Sequence, residues 1–273
     1  MHISSLGFQT DLMVRALEGS EIIDHPDYVT VRSPANPEFW WGNFLLLPAA
    51  AAHGPAGPWL DLFRTEFPGA GHLALGLDGT GAPEPDFGSF ATAGLELVQE
   101  TVLTAPAPRK PPRPNRDAAI RPLASDKDWQ QAVELQATSD AADEGPATRT
   151  FIEARYAARR RASEAGHGAW FGAFRDGQLV AQLGIFAAAG GLARYQDVGT
   201  HPAARRQGLA GTLVWRAGQY ALSELGARTL VIVADPAEAA IRVYRSVGFA
   251  DHETQLSMSR VATTRQQRGS GDA

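Results

Sequence analysis

The run Asp197-Val198-Gly199-Thr200-His201-Pro202-Ala203-Ala204-Arg205-Arg206-Gln207-Gly208-Leu209-Ala210 constrains this chain more than any other segment. It reads as an apolar strand, a Pro-containing turn, a loop of small and basic residues, and then a helix. The helix is predicted over Leu209 to Leu225, because Leu209, Leu213, Ala217, Ala221 and Leu225 recur every four residues on one face. A helix N-terminus presents unpaired N–H groups and about half a positive charge, which suits an anion and above all a phosphate. Gly208 lets the backbone approach such an anion, and Arg205 and Arg206 add charge. A pyrophosphate fits there.

The loop is not a nucleotide-triphosphate loop, since no Gly-Lys-Ser/Thr closes it, and no G-x-G-x-x-G dinucleotide fingerprint occurs. A second segment narrows the reading. Thr229-Leu230-Val231-Ile232-Val233 is a short β-branched run, the mark of a buried strand. Asp235-Pro236 then starts a helix carrying Ala239, Ala240, Ile241, Val243 and Tyr244. Gly248-Phe249 follows, with Gly248 where a left-handed C-terminal cap is needed.

These two segments resemble the GNAT acyltransferases. Arg205, Gly208 and Ala210 match the Arg/Gln-x-x-Gly-x-Gly/Ala signature, and Ala240, Tyr244, Gly248 and Phe249 match the closing A-x-x-x-Y-x-x-x-G-F. The resemblance implies an α/β fold, a central mixed sheet flanked by helices, and an acetyl-CoA-dependent N-acetyltransferase. It also implies that Arg205, Arg206, Gln207, Gly208, Leu209 and Ala210 hold the coenzyme pyrophosphate. The backbone of Val198, Gly199 and Thr200 would line the pantetheine arm, with a Val198 N–H polarising the thioester carbonyl. Tyr244 would protonate the departing thiolate, its alternative being an aromatic packed on the sheet. Asp197 is the candidate base, although an ordinary Asp titrates near pH ~3.9 and a structural role fits equally. Two departures stand out: Arg206 replaces a small residue, and Ala237 stands where an Asn often precedes the last helix.

The 273 residues suit two domains. Thr104 to Arg116 holds five prolines and four basic residues in thirteen positions, so it reads as an extended linker. The expected organisation is therefore 1–103, a linker at 104–116, a GNAT domain at 117–262, and a disordered tail at 263–273. Within the GNAT domain the order is β-α-α-β-β-β-α-β-α-β. A strand covers Ala118–Pro122, a helix starts at Ser125 or Asp126, and a second helix covers Thr150–Ala165. A hairpin of Ala169–Phe174 and Leu179–Ala187 and a strand at Leu192–Thr200 complete it. Arg159-Arg160-Arg161 reads most simply as a solvated helix face, contact with a coenzyme phosphate being the lesser alternative.

The first half echoes the second weakly. Phe90-Ala91-Thr92-Ala93-Gly94-Leu95 has the spacing of Tyr244 to Phe249, but no phosphate loop precedes it. Residues 1–103 are thus expected to be a degenerate GNAT-like copy without a coenzyme site, an unrelated α+β domain being the alternative. The aromatic stretch Phe39–Leu47 reads as a core strand, or less readily as a substrate wall.

Charge is divided unevenly. Residues 1–103 carry three arginines against thirteen acids, and the remainder carries a net +5. Neither pattern suits nucleic acid. The histidines lack paired ligand spacing and the chain lacks cysteine, so no metal site, disulfide or cysteine nucleophile is expected. No apolar run reaches the ~20 residues of a membrane span. The expected partners are acetyl-CoA and a small-molecule or peptide amine, in a cytoplasmic monomer or homodimer. A non-catalytic acyl-CoA sensor is the alternative function.

Overall fold

The computed structural model describes residues 1–80, 87–143, 149–187 and 190–261; the predicted tail, 263–273, lies outside the described residues. The first half folds as α1 (Leu6–Leu17), β1 (Glu21–Asp24), β2 (Val29–Arg32), β3 (Phe44–Pro48), α2 (Gly57–Glu66), β4 (His72–Asp78), α3 (Gly88–Thr92) and β5 (Glu96–Ala105). The second half follows as β6 (Ala119–Pro122), α4 (Asp126–Asp143), α5 (Arg149–Glu164), β7 (Gly168–Arg175), β8 (Gln178–Ala187), β9 (Leu192–Thr200), α6 (Leu209–Glu224), β10 (Thr229–Ala234), α7 (Ala240–Ser246) and β11 (Ala250–Val261). The predicted strand–helix order of the second half is therefore present, with boundaries within a few residues.

The described strands form one mixed sheet in the order β1-β2-β3-β4-β11-β5-β10-β9-β8-β7-β6. Its pairings repeat about the central β5–β11 pair. β3 and β4 are parallel, as are β9 and β10, and every other neighbouring pair is antiparallel. A helix crosses between the parallel strands in each half. Each half also lends its last strand to the other: β5 pairs with β10, and β11 with β4. Without that exchange, β4 and β10 would each present an open edge.

β3, β4, β7 and β8 are buried on both faces, which explains their near-continuous apolar runs. On β7, Ala169, Phe171 and Ala173 pack with Leu209, Leu213 and Ala217 of α6, while Trp170 and Phe174 point to the opposite face, against Trp129, Ile152 and Tyr156 of α4 and α5. α3 and α7 end alike. Leu95 N–H donates to Phe90 O (3.1 Å), and Phe249 N–H donates to Tyr244 O (3.2 Å). Gly94 (φ 79°) and Gly248 (φ 99°) supply the left-handed residue that this closure requires.

Two segments differ from their sequence reading. In the aromatic stretch only Phe44–Pro48 is strand, and Trp40–Gly42 is a 3-10 turn. The Asn43 side chain causes the bend, accepting from Ser33 N–H (3.0 Å) and donating to Phe39 O (2.9 Å). The Pro-rich segment begins within β5, which includes Thr104 and Ala105. Beyond them it is bound as a strap across α6 and α7 rather than left as a tether. Arg109 N–H donates to Val247 O (2.7 Å), and Asn115 donates its N–H to Thr212 Oγ1 (2.8 Å) and its amide to Gln207 O (2.9 Å).

Candidate active site

β9 and β10 pair only over Leu192–Arg194, opposite Thr229–Val231. Beyond Arg194 the strands part, and Val198, Gly199 and Thr200 line the space between them. The register slip against β8, between Gln182 and Gly184, adds a bulge at the same place. At that bulge Asp197 is left-handed (φ 41°), an uncommon state for a residue other than glycine. Gly199 and Thr200 remain paired with β8, while the bulge and the side of the strand facing β10 are left to the cavity.

The loop after β9 meets that cavity. His201 caps a short 3-10 turn through Nδ1, which accepts from Ala203 N–H (3.3 Å). Arg206 (φ 63°) and Gly208 (φ 75°) are both left-handed, the kind of backbone that gathers successive N–H groups into a concave anion nest. Gly208 is the N-cap of α6 and has no side chain to satisfy the first N–H groups of the helix. It cannot be replaced without strain. A Cβ there would lie 2.4 Å from Arg113 O of the strap, so the glycine admits the strap. Arg205, Arg206, Gly208, Leu209 and Ala210 line the cavity with Pro111 to Arg113, while Gln207 carries the strap hydrogen bond through its carbonyl.

Tyr244 reaches the same cavity from α7 and is 5% exposed. Burial, then the charges of Glu238 and Asp197, push its phenol well above the ordinary tyrosine range. It therefore carries its proton throughout the neutral range, as an acid must.

Asp197 does not fit the base expected of it. Burial tends to raise its carboxyl, but the opposing charges of Arg159 and Arg155 outweigh burial and hold it well below the usual carboxylate range. Arg159 Nη2 donates to Asp197 Oδ2 at 2.6 Å, and Arg155 Nη2 lies 3.3 Å from the same oxygen. A carboxylate stabilised in this way gives up its affinity for a proton. The predicted solvated arginine face also needs correction. Arg159 is fully buried and reaches Glu18 of α1 (3.4 Å) as well as Asp197. Sequence reasoning missed Arg155 and Arg159 as site residues. The signal was the stripe Ile152, Tyr156, Arg159 and Ala162, which puts Arg159 on the buried face of α5.

The cavity, about 2370 Å³, does not stop at the second half. It continues past Asp197, Arg155 and Phe151 to Phe39, Trp40, Trp41, Phe67 and His72 of the first half. The aromatic stretch read as a core strand is, in its first part, a cavity wall.

The sequence model of the acetyltransferase (GNAT) family matches residues 129–249. Among curated proteins no relative matches the chain. Solved structures similar in fold include a functionally unknown conserved protein from Staphylococcus epidermidis (14% identity, TM-score 0.68, covering 89% of this chain and 94% of that one). A GCN5-related N-acetyltransferase from Kribbella flavida gives 20% identity and a TM-score of 0.62, over 93% of this chain and 94% of that one. A tandem GNAT protein from the clavulanic acid biosynthesis pathway gives 18% and 0.53, over 74% of this chain and 67% of that one. Fold, strand splay, glycine-capped helix and family match agree: residues 129–249 of this chain are a domain of the acetyltransferase (GNAT) family.

Proposed function

We propose that the protein is an acetyl-CoA-dependent N-acetyltransferase with one coenzyme site per chain, in the second half, and a degenerate GNAT-like first half. The observation that carries this reading is the meeting, in one cavity, of the Arg205–Ala210 nest, the β10-facing edge of Val198–Thr200, which has no partner strand there, and the protonated Tyr244 phenol. The nest takes the pyrophosphate of acetyl-CoA, and the splayed strand takes the pantetheine arm.

Transfer is direct. The neutral acceptor amine attacks the thioester carbonyl carbon, a C–N bond forms, and the C–S bond breaks. The Val198 N–H polarises the carbonyl oxygen as charge develops on it. Tyr244 donates its phenolic proton to the leaving thiolate and regains one from solvent, while the acceptor nitrogen loses a proton to solvent. Asp197 acts as a positioning residue, holding the bulge through its two arginines.

The test is coenzyme A release from acetyl-CoA over a panel of amines. Amine-dependent release supports the reading. Acetyl-CoA binding with no release above the hydrolytic background for any amine would replace it with a non-catalytic acyl-CoA sensor.

A further inference from the structure

We propose that the acceptor is an amine bearing a carboxylate and a bulky apolar body, and that Arg155 receives the carboxylate. The inference rests on the acyl-transfer reading for the word acceptor, but the subsite itself is argued from side chains that coenzyme A does not need. Arg155 projects from α5 into the cavity one residue short of the Val198 backbone, through its contact with Asp197. Its guanidinium lies 4.6 Å from the Phe39 ring centroid and 5.6 Å from that of Phe151. Phe39 belongs to the first half and Phe151 to the second, so the cation stands where the two halves meet over the cavity.

The cluster around Arg155 holds more donors than acceptors. Arg155 and Arg159 share a single oxygen of Asp197, and Arg159 and Arg15 share Glu18. Arg15 Nε, Arg155 Nε and Arg159 Nη1 are buried without a hydrogen-bond partner. Buried donors are seldom left unmet, and in this cluster the shortage of acceptors is open to an entering anion only through Arg155. Arg155 is the member of this cluster that both lines the cavity and stays partly exposed, with 16% of its side chain accessible. A planar guanidinium suits a planar carboxylate better than a point anion.

Two of the four acids that line the cavity are already engaged: Glu66 accepts from Arg32 Nη2 (3.1 Å) and Tyr28 (3.3 Å), and Asp197 is taken by Arg159. Phe39 and Phe151 lie beside Arg155, and the first-half wall of the same cavity adds Trp40, Trp41 and Phe67. Trp40 is held in place by stacking on His72, with centroids 5.6 Å apart. Carboxylate recognition beside a broad aromatic wall selects an apolar amino acid or a close relative over a polyamine or an amino sugar.

The experiment titrates the full chain by calorimetry with N-acetylphenylalanine, N-acetylleucine and the primary amide of each. No coenzyme is added, so the result is independent of acetyl-CoA binding. The acids should bind at least about tenfold tighter than their amides, the difference a charge-assisted pair supplies. Arg155→Met should erase that difference and Arg155→Lys should keep part of it, with circular dichroism showing both folded. Equal affinities for acid and amide, binding of neither, or full discrimination in folded Arg155→Met would overturn the proposal. If Arg155→Met does not fold, the wild-type ratio and Arg155→Lys decide. Acid selectivity in a chain that fails to bind acetyl-CoA would break the acyltransfer reading and leave the carboxylate subsite standing.

Discussion

The crossovers from β3 to α2 and from β9 to α6 occupy corresponding places in the sheet, and they differ in nearly every feature that binds an anion. β9 is bulged at Asp197, parts from β10, and passes through a basic loop to a glycine-capped helix of sixteen residues. β3 is apolar and unbulged, pairs with β4 from Leu45 to Pro48, and continues through Ala49–His53 to a ten-residue helix with no side-chain cap. The connection between β3 and α2 contains no arginine or lysine. The closing helices differ too, with Tyr244 on α7 where α3 has the fully buried Phe90. On the proposed function, shared topology does not make two sites: the proposed site combines the splay, the nest and the phenol, and the first half gives its aromatic loop to the wall of the cavity.

Exchanging the key ring between halves gives the largest expected effect. Tyr244→Phe should leave acetyl-CoA affinity nearly unchanged and lower the transfer rate by about 10²–10⁴-fold, measured where chemistry limits turnover. Phe90→Tyr should gain no activity. It should lower the thermal midpoint, since a buried hydroxyl without a partner costs about 1–3 kcal/mol. Transfer at the wild-type rate by Tyr244→Phe would reduce Tyr244 to a packing residue like Phe90.

Next is the carboxylate that β9 has and β3 lacks. Asp197→Asn weakens the ion pairs to Arg159 and Arg155, and hydrogen bonds to charged groups contribute about 1.5–3 kcal/mol. The folded carboxyl is held below its unfolded value, so its stabilisation is present above the unfolded pKa of about 3.9 and is lost as pH falls through the folded one. Urea midpoints should thus separate wild type from Asp197→Asn at neutral pH and converge in acid. A gap that widens as pH falls would mean that Asp197 is protonated in the fold, as a base with a raised pKa would be.

A smaller effect compares the glycines that open the two crossover helices. Gly208→Ala forces a Cβ onto a left-handed residue, at about 1–2 kcal/mol, and against Arg113 O. Gly57→Ala meets nothing within 4 Å. Scanning calorimetry should show a fall of several degrees for the first and little change for the second. Equal behaviour would remove the strap from the account of the loop.

Much of the second half was legible because its signals are local. The four-residue recurrence in α6, the β-branched run of β10 and the Tyr244–Phe249 closure each depend on neighbours in sequence. The strand exchange was not legible. β5 and β11 show ordinary strand patterns, and nothing in them specifies that β5 pairs with β10 and β11 with β4. Phe39–Trp41 misled for a related reason: aromatic content suggested strand, but Asn43, bonded back to Ser33 and Phe39, bends the chain. Asp197 was identified by position, and its chemistry was set by Arg155 and Arg159, about forty residues earlier in the chain. Charges that meet only after folding decide a pKa, and sequence spacing does not reveal them.

The proposed function gives two halves of like topology a single coenzyme site. Isothermal titration of the full chain with acetyl-CoA counts the sites. One site per chain is expected, lost or much weakened in Gly208→Ala and unchanged in Phe90→Tyr. Two sites per chain, or a single site indifferent to Gly208, would contradict it.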